Sequence, residues 1–114
     1  MKQGKIKLIE ILKKLNNAKI TDRSLIWNTE ILEALELRNL ILQSIASIDS
    51  AIKRTESRGA HSRIDYVSRN DKKWMKHNLV WTDINGKTSF DARPVQLETN
   101  NNEVNSIAPK ARVY

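Results

Sequence analysis

Residues 29–57 read TEILEALELRNLILQSIASIDSAIKRTES, a stretch without glycine or proline in which apolar side chains recur every three or four positions. That is the helical period, and the spacing predicts one helix from Thr29 to about Ser57, roughly 43 Å long at 1.5 Å per residue. Glu30 and Glu33 at its start and Arg54 and Arg58 at its end suit the helix dipole, and Gly59 follows as a left-handed stop. Ile31, Ala34, Ile41, Ile45, Ile48 and Ile52 form one stripe, and Leu32, Leu35, Leu42 and Ala46 form the next. The polar strip of Glu33, Glu36, Gln43, Ser47, Ser50 and Arg54 is narrow and interrupted by Leu40. A helix apolar around most of its girth must be covered on more than one side, so a packing partner beyond this chain is expected.

Upstream, Leu8, Ile11, Leu12 and Leu15 predict a short amphipathic helix over residues 5–18. Residues 19–28 then read as a connection with Asp22 and Asn28 as caps. Downstream, a loop over 58–73 leads into a hairpin over about 74–93, where Met75, Leu79 and Trp81 alternate on one arm and Thr88, Phe90 and Ala92 on the other. Asn85-Gly86 is the pair favoured in a type I′ turn. A polar tail covers 94–114, with a turn expected at 100–102. The expected fold is mainly α: an antiparallel helical bundle of one short and one long helix, then an extended loop and a β-hairpin, in a single domain over 1–114.

The 114 residues match one ordinary domain. Aromatics are scarce, at 5%, so Trp27, Trp74 and Trp81 are expected to carry much of the bulky packing. Cysteine is absent, which excludes disulfides, thiolate metal sites and iron–sulfur ligation by this chain. No apolar run approaches the roughly 20 residues that cross a bilayer, and direct membrane insertion is not expected. The net charge of +7 allows an acidic partner. Lysines 2, 5, 7, 13, 14 and 19 oppose Glu10 alone in the first twenty residues, and Arg54, Arg58, Arg63, Arg69, Lys72, Lys73 and Lys76 form a second basic cluster.

The three glycines, Gly4, Gly59 and Gly86, cannot compose a dinucleotide-binding or phosphate-cradling loop. His61 and His77 lie without cysteine partners or a metal-binding helix spacing, so they read as structural or interface histidines rather than ligands or bases. The basic stretch from Arg63 to Lys76, interleaved with Tyr66 and Trp74, could follow a phosphate backbone, but it contains no nucleic-acid-binding motif.

ESRGAHSRIDY at 56–66, WMKHNLVW at 74–81 and APKARVY at 108–114 carry a resemblance that runs from about Ile20 to Tyr114. The chain resembles the C-terminal domain of the succinate dehydrogenase flavoprotein subunit of respiratory complex II, a domain shared with fumarate reductase. The resemblance implies a helical bundle with an extended segment and hairpin, packed on a flavin-binding domain, in an enzyme that passes electrons from succinate through FAD to an iron–sulfur subunit and quinone. It places the catalytic and FAD-contacting residues in flavin-binding and capping domains absent from these residues, so this chain alone is expected to be inactive, with no cofactor, catalytic or metal site of its own. Arg58, Gly59, His61, Arg63, Asp65, Trp74 and His77 are then candidate contacts to the flavin domain.

The implied partners are the flavin-binding domain and the iron–sulfur subunit. The implied place is the cytoplasm, or the cytoplasmic face of the inner membrane through those partners, or the matrix side in a mitochondrion. Ile64, Val67, Asn70, Lys72 and Lys73 depart from the family's pattern, exchanging a proline and acidic residues for a looser, more basic surface. Two other readings are a stand-alone basic module for an acidic protein or RNA, and a decayed gene fragment.

Overall fold

The computed structural model describes residues 1–101 and 103–110. Helix α1 spans Lys2–Leu15 and helix α2 spans Thr29–Lys53; a single helical turn, α3, covers Asp71–Trp74. Strands β1 (Lys76–Thr82) and β2 (Thr88–Pro94) pair as a two-stranded antiparallel hairpin. Two compact units result, one built on Met1–Lys53 with Val80–Phe90, the other on Arg54–Leu79 and the residues from Asp91 onward.

In the first unit α1 and α2 run head to tail. Lys5, near the start of α1, donates to Asp49 near the end of α2 at 2.8 Å, and Leu12 further along α1 shares a buried cluster with Ile41 and Ile45. Leu8, Ile9, Leu15 and Leu42 pack around that cluster. Ile9 thus takes the inward position that the sequence suggested for Ile11, which is exposed. Asp49 is nearly buried and also accepts from the Thr88 hydroxyl at 2.8 Å, so its charge has two donors.

The expected covering problem is real and localised. The second half of α2 is packed, whereas Ile31, Leu32, Leu35, Leu37 and Leu40 in its first half are exposed. The connection that leads into α2 is nevertheless well tied. Glu30 accepts from the backbone N–H groups of Thr21 and Asp22 at 2.9 and 2.7 Å and from the Thr21 hydroxyl. Asn28 caps the helix by accepting from Ile31 N–H at 3.0 Å, while its amide donates to the carbonyls of Asp22 and Ser24. Between these ties Trp27 adopts φ 56°, a left-handed conformation that costs a bulky residue about 1–2 kcal/mol.

The hairpin tip differs from a two-residue type I′ turn, which would need positive φ at both Asn85 and Gly86; only Gly86, at φ 79°, has it. Gly86 N–H donates to Asp83 O and Asp83 N–H to Lys87 O, both at 3.0 Å, so the loop carries one more residue. The Asp83 carboxylate selects this form by accepting from Asn85 and Lys87 N–H at 2.9 and 2.8 Å. Of the three tryptophans only Trp74 is buried; Trp27 and Trp81 are exposed, contrary to the packing role expected of all three.

Helix α2 stops at Lys53, four residues before the expected end. The hydrogen-bonding groups of residues 54–57 are drawn into the second unit instead, as with Ser57 N–H, which donates to Ser68 O at 3.3 Å. Gly59 is accordingly not the helix stop. Arg58 and His61 exchange backbone hydrogen bonds of 2.8 and 3.0 Å around a two-residue loop, and Gly59 takes φ 57° at its first position, as a type II′ turn requires. The expected loop over 58–73 also contains the start of α3, which Asn70 caps by accepting from Lys73 N–H at 3.1 Å.

Candidate docking interface

The second unit is organised by a carboxylate. Glu56 is fully buried, and an ion in that position persists only if its partners replace water. Arg58 grips it in fork fashion, Nε to Oε1 at 2.8 Å and Nη2 to Oε2 at 3.0 Å. Arg54 Nη1 donates to Oε1 at 2.6 Å and Asn70 N–H to Oε2 at 2.7 Å. Burial pushes the carboxyl upward, but the Arg58, Asn70 and Arg54 hydrogen bonds outweigh it and hold Glu56 at about 2.

From this centre the same arginines fix the surrounding backbone. Arg54 donates to the carbonyls of Trp74 and Lys76 at 3.0 and 2.7 Å. Its guanidinium is thus a tie across the strand start, where the sequence suggested only a favourable charge at a helix end. Arg58 Nη2 reaches Asp71 at 2.5 Å, and Arg69 donates to Asp71 at 2.8 Å and to the Lys110 carbonyl at 2.6 Å. The Arg58 hydrogen bond chiefly lowers the Asp71 carboxyl below its usual range. Trp74 donates from Nε1 to Thr55 Oγ1 at 3.2 Å, and its ring faces the cations of Arg54, Lys73 and Lys76 at 5.2–5.4 Å.

The loop beyond Gly59 folds back on the residue that follows α2. The carbonyl of Arg54 accepts from His61 Nε2 and from Arg63 Nη1, each at 3.1 Å. A carbonyl only accepts, so His61 carries its proton on Nε2. Arg63 is buried, pairs with Asp65 at 2.8 and 2.5 Å and lies 4.6 Å from the Tyr66 ring; the Asp65 hydrogen bond raises its already high pKa. Ser57 Oγ accepts from Arg63 N–H at 2.9 Å and donates to Tyr66 O at 2.8 Å.

The candidate residues therefore fall into two groups. Arg58, His61, Trp74 and His77 line one shallow cavity of about 430 Å³. Asp65 lines a separate one of about 530 Å³ with Tyr66 and Arg69, and Gly59 is exposed at its turn. Arg112 and Tyr114 lie outside the described residues, as does Asn102 of the expected turn. The residues missed as site members are Glu56, Arg54, Asn70 and Asp71. For Arg54 and Glu56 the signal was present in the alternation Arg54-Thr55-Glu56-Ser57-Arg58, a carboxylate between two arginines in a basic segment.

Chemically this is a set of mutually compensated ions that shapes a surface. Ser57 is occupied with backbone groups, and His61 Nε2 faces a carbonyl, so neither forms a nucleophile–base pair with the other. Among the described residues no group of three His, Asp or Glu side chains could hold a metal.

The family model described as fumarate reductase flavoprotein C-term matches residues 1–114. This chain belongs to that family. It is 47% identical over 112 residues to the succinate dehydrogenase flavoprotein subunit of Rickettsia bellii, covering 98% of this chain and 19% of the relative. With the mitochondrial succinate dehydrogenase [ubiquinone] flavoprotein subunit of Oryza sativa subsp. japonica it shares 48% over 99 residues, 87% of this chain and 16% of that one. Among solved structures, the FrdA chain of an E. coli quinol fumarate reductase mutant superposes with TM-score 0.82 at 32% identity, covering 88% of this chain and 17% of that chain. The chain thus spans less than a fifth of the length of these relatives, in their C-terminal portion.

Flavoprotein relatives raise the question of FAD. The glycines of this C-terminal family segment do not form a phosphate cradle for it: Gly4 lies in α1, Gly59 in the Arg58–His61 turn and Gly86 at the hairpin tip. None joins a strand to a helix, where a dinucleotide's phosphates are cradled. No helix among the described residues is long and apolar enough to cross a membrane.

Proposed function

We propose that this chain serves as the structural and subunit-contact domain at the C-terminal end of a succinate dehydrogenase flavoprotein subunit, which oxidises succinate to fumarate and passes electrons towards quinone. Helices α1 and α2 are its share of an antiparallel helical bundle, and residues 1–114 act as one domain. The flavin-binding domain and the iron–sulfur subunit are its partners, and FAD is held by the former. The location that follows is peripheral, on the cytoplasmic or matrix face of the membrane through those partners.

The observation that carries this reading is the wiring of the second unit. A fully buried Glu56 and its arginines fix the segment from Arg54 to Lys76, while Arg58, His61 and His77 line an open surface. Rigid polar surfaces of this kind suit docking, because their side chains need little further ordering on contact. A basic RNA-binding module has less support, since Arg63 and Arg69 are already paired with Asp65 and Asp71.

The test is a chimera in which this chain replaces the matching segment of the Rickettsia bellii flavoprotein subunit. The chimera is expected to retain flavin and to reduce a dye with succinate, and the free chain to do neither. A free chain that is yellow and active, or a chimera that loses its flavin, would remove the proposal.

A further inference from the structure

The feature that docking through Arg58, His61 and His77 leaves unexplained lies in the other unit. Leu25, Ile26 and Trp27 are consecutive, apolar and exposed to 100%, 75% and 92%, respectively. An exposed leucine is ordinary, but three large apolar side chains in a row on a tied-down turn are not. The turn is held from both sides: Glu30 accepts from Thr21 and Asp22, Asp22 accepts from Ser24 N–H at 2.8 Å, and Asn28 donates to Asp22 and Ser24 while capping α2. Trp27 is the one non-glycine among the described residues with positive φ. These bonds hold an indole in a disfavoured backbone conformation so that it faces solvent, where it gains nothing. Strain maintained in this way points to a contact made elsewhere.

The apolar surface continues along the first turns of α2 through Ile31, Leu32 and Leu35, all exposed. Trp next to Leu and Ile, preformed and fully accessible, has the composition of an anchor that fills a recess in a protein partner.

We propose that Leu25–Trp27, with Leu32 and Leu35, is a second docking element, whose occupant is an apolar recess on the part of the flavoprotein subunit that relatives carry outside this segment. The inference rests on the function proposed above. It takes its occupant from the share of the relatives' length, more than four-fifths, that lies outside the matched segment. A lipid surface fits less well. Glu33 and Glu36 are exposed beside Leu32 and Leu35, and carboxylates there oppose approach to anionic headgroups.

The experiment is hydroxyl-radical footprinting, which reads side-chain exposure residue by residue, on the free chain and on the Rickettsia bellii chimera. Trp27 is expected to lose about tenfold of its labelling in the chimera, as an anchor sealed from water should, with Leu25, Leu32 and Leu35 falling alongside it and His77 protected independently. Within the chimera, Leu25→Ser with Trp27→Ser should restore labelling at Leu32 and Leu35 while leaving His77 protected.

If Trp27 stays fully labelled while His77 is protected, the second docking element is wrong and the proposed function stands. If neither is protected, both are wrong. Protection of Trp27 in the free chain that disappears on dilution would assign the turn to a second copy. Co-sedimentation of the free chain with vesicles of mixed zwitterionic and anionic phospholipid, lost in Trp27→Ser, would assign it to a membrane. Either result overturns the proposal.

Discussion

The backbone N–H of Asn70 donates to the carboxylate of Glu56 at 2.7 Å across fourteen residues, and so makes an acid in the middle of a basic segment the anchor of the loop between them. The same carboxylate pairs with Arg54 and Arg58, of which Arg58 alone has a second acid partner, Asp71, among the described residues. Glu56→Gln keeps the shape and removes the charge, so it should destabilise the second unit by about 3–5 kcal/mol, the usual effect of breaking one side of a buried ion pair. Urea unfolding followed by tryptophan fluorescence measures it. A loss below about 1 kcal/mol would mean that the pairing contributes little beyond packing.

The same residue sets the acid response. Its carboxyl is held at about 2 in the folded chain against an ordinary 4.5. A lowered folded pKa gives stability that is complete above the ordinary value and disappears as pH falls through the lowered one. The contribution is about 3 kcal/mol and should drain away between about pH 5 and pH 2. Asp71, lowered by its Arg58 hydrogen bond, acts with the same sign. Urea midpoints measured across this range should fall steeply for the unaltered chain and more gently for Glu56→Gln.

The short and the long helix were legible from their period, and α2 from its cap as well: Asn28 does cap it, and Ile41 and Ile45 do form the core. Helix α1, which has no side-chain cap to mark its start, lies at Lys2–Leu15, three residues upstream of the expected 5–18. The end of α2 was not legible. Arg54 and Arg58 look like favourable charges at a helix C-terminus, but Arg54 is used on Glu56 and on the carbonyls of Trp74 and Lys76, some twenty residues away. Tertiary demand overrode a local signal there. Gly59 shows the same: a glycine after a helical run reads as a stop, although its φ serves a turn between Arg58 and His61. The candidate contacts were read from resemblance; the stretch that carries it begins at Glu56, yet Arg58, His61 and Trp74 were singled out as contacts and the carboxylate that holds the first was not. The exposure of Trp27 could not be foreseen from composition, since a scarce aromatic is ordinarily a core residue.

Gly59 and Gly86 both have positive φ, yet their surroundings differ. A Cβ on Gly59 would meet nothing within 4 Å, whereas one on Gly86 would lie 3.0 Å from the Cδ1 atoms of Ile45 and Ile9 and 3.2 Å from Leu12 Cδ2. Gly59→Ala should therefore cost about 1 kcal/mol, from backbone strain alone. Gly86→Ala adds crowding against the core and should cost about 2–3 kcal/mol. Thermal unfolding of the two variants side by side tests the ordering; equal losses would show that the hairpin tip does not press on the helix pair.

Trp27 offers the opposite sign. Its side chain is almost wholly in water, so removing it forfeits little packing in the free chain, while its φ of 56° is one that glycine adopts without penalty. The entropy that glycine adds to the unfolded chain offsets part of the gain. Trp27→Gly should on balance raise the stability of the free chain by about 0.5–1 kcal/mol, seen as a higher urea midpoint with an unchanged slope. A matched Asn28→Ala variant, which removes the cap that holds the turn, should lower it by about 1 kcal/mol. If Trp27→Gly instead destabilises the free chain by more than about 1 kcal/mol, the indole is already at work within this chain and the strain at its backbone serves the fold rather than a partner.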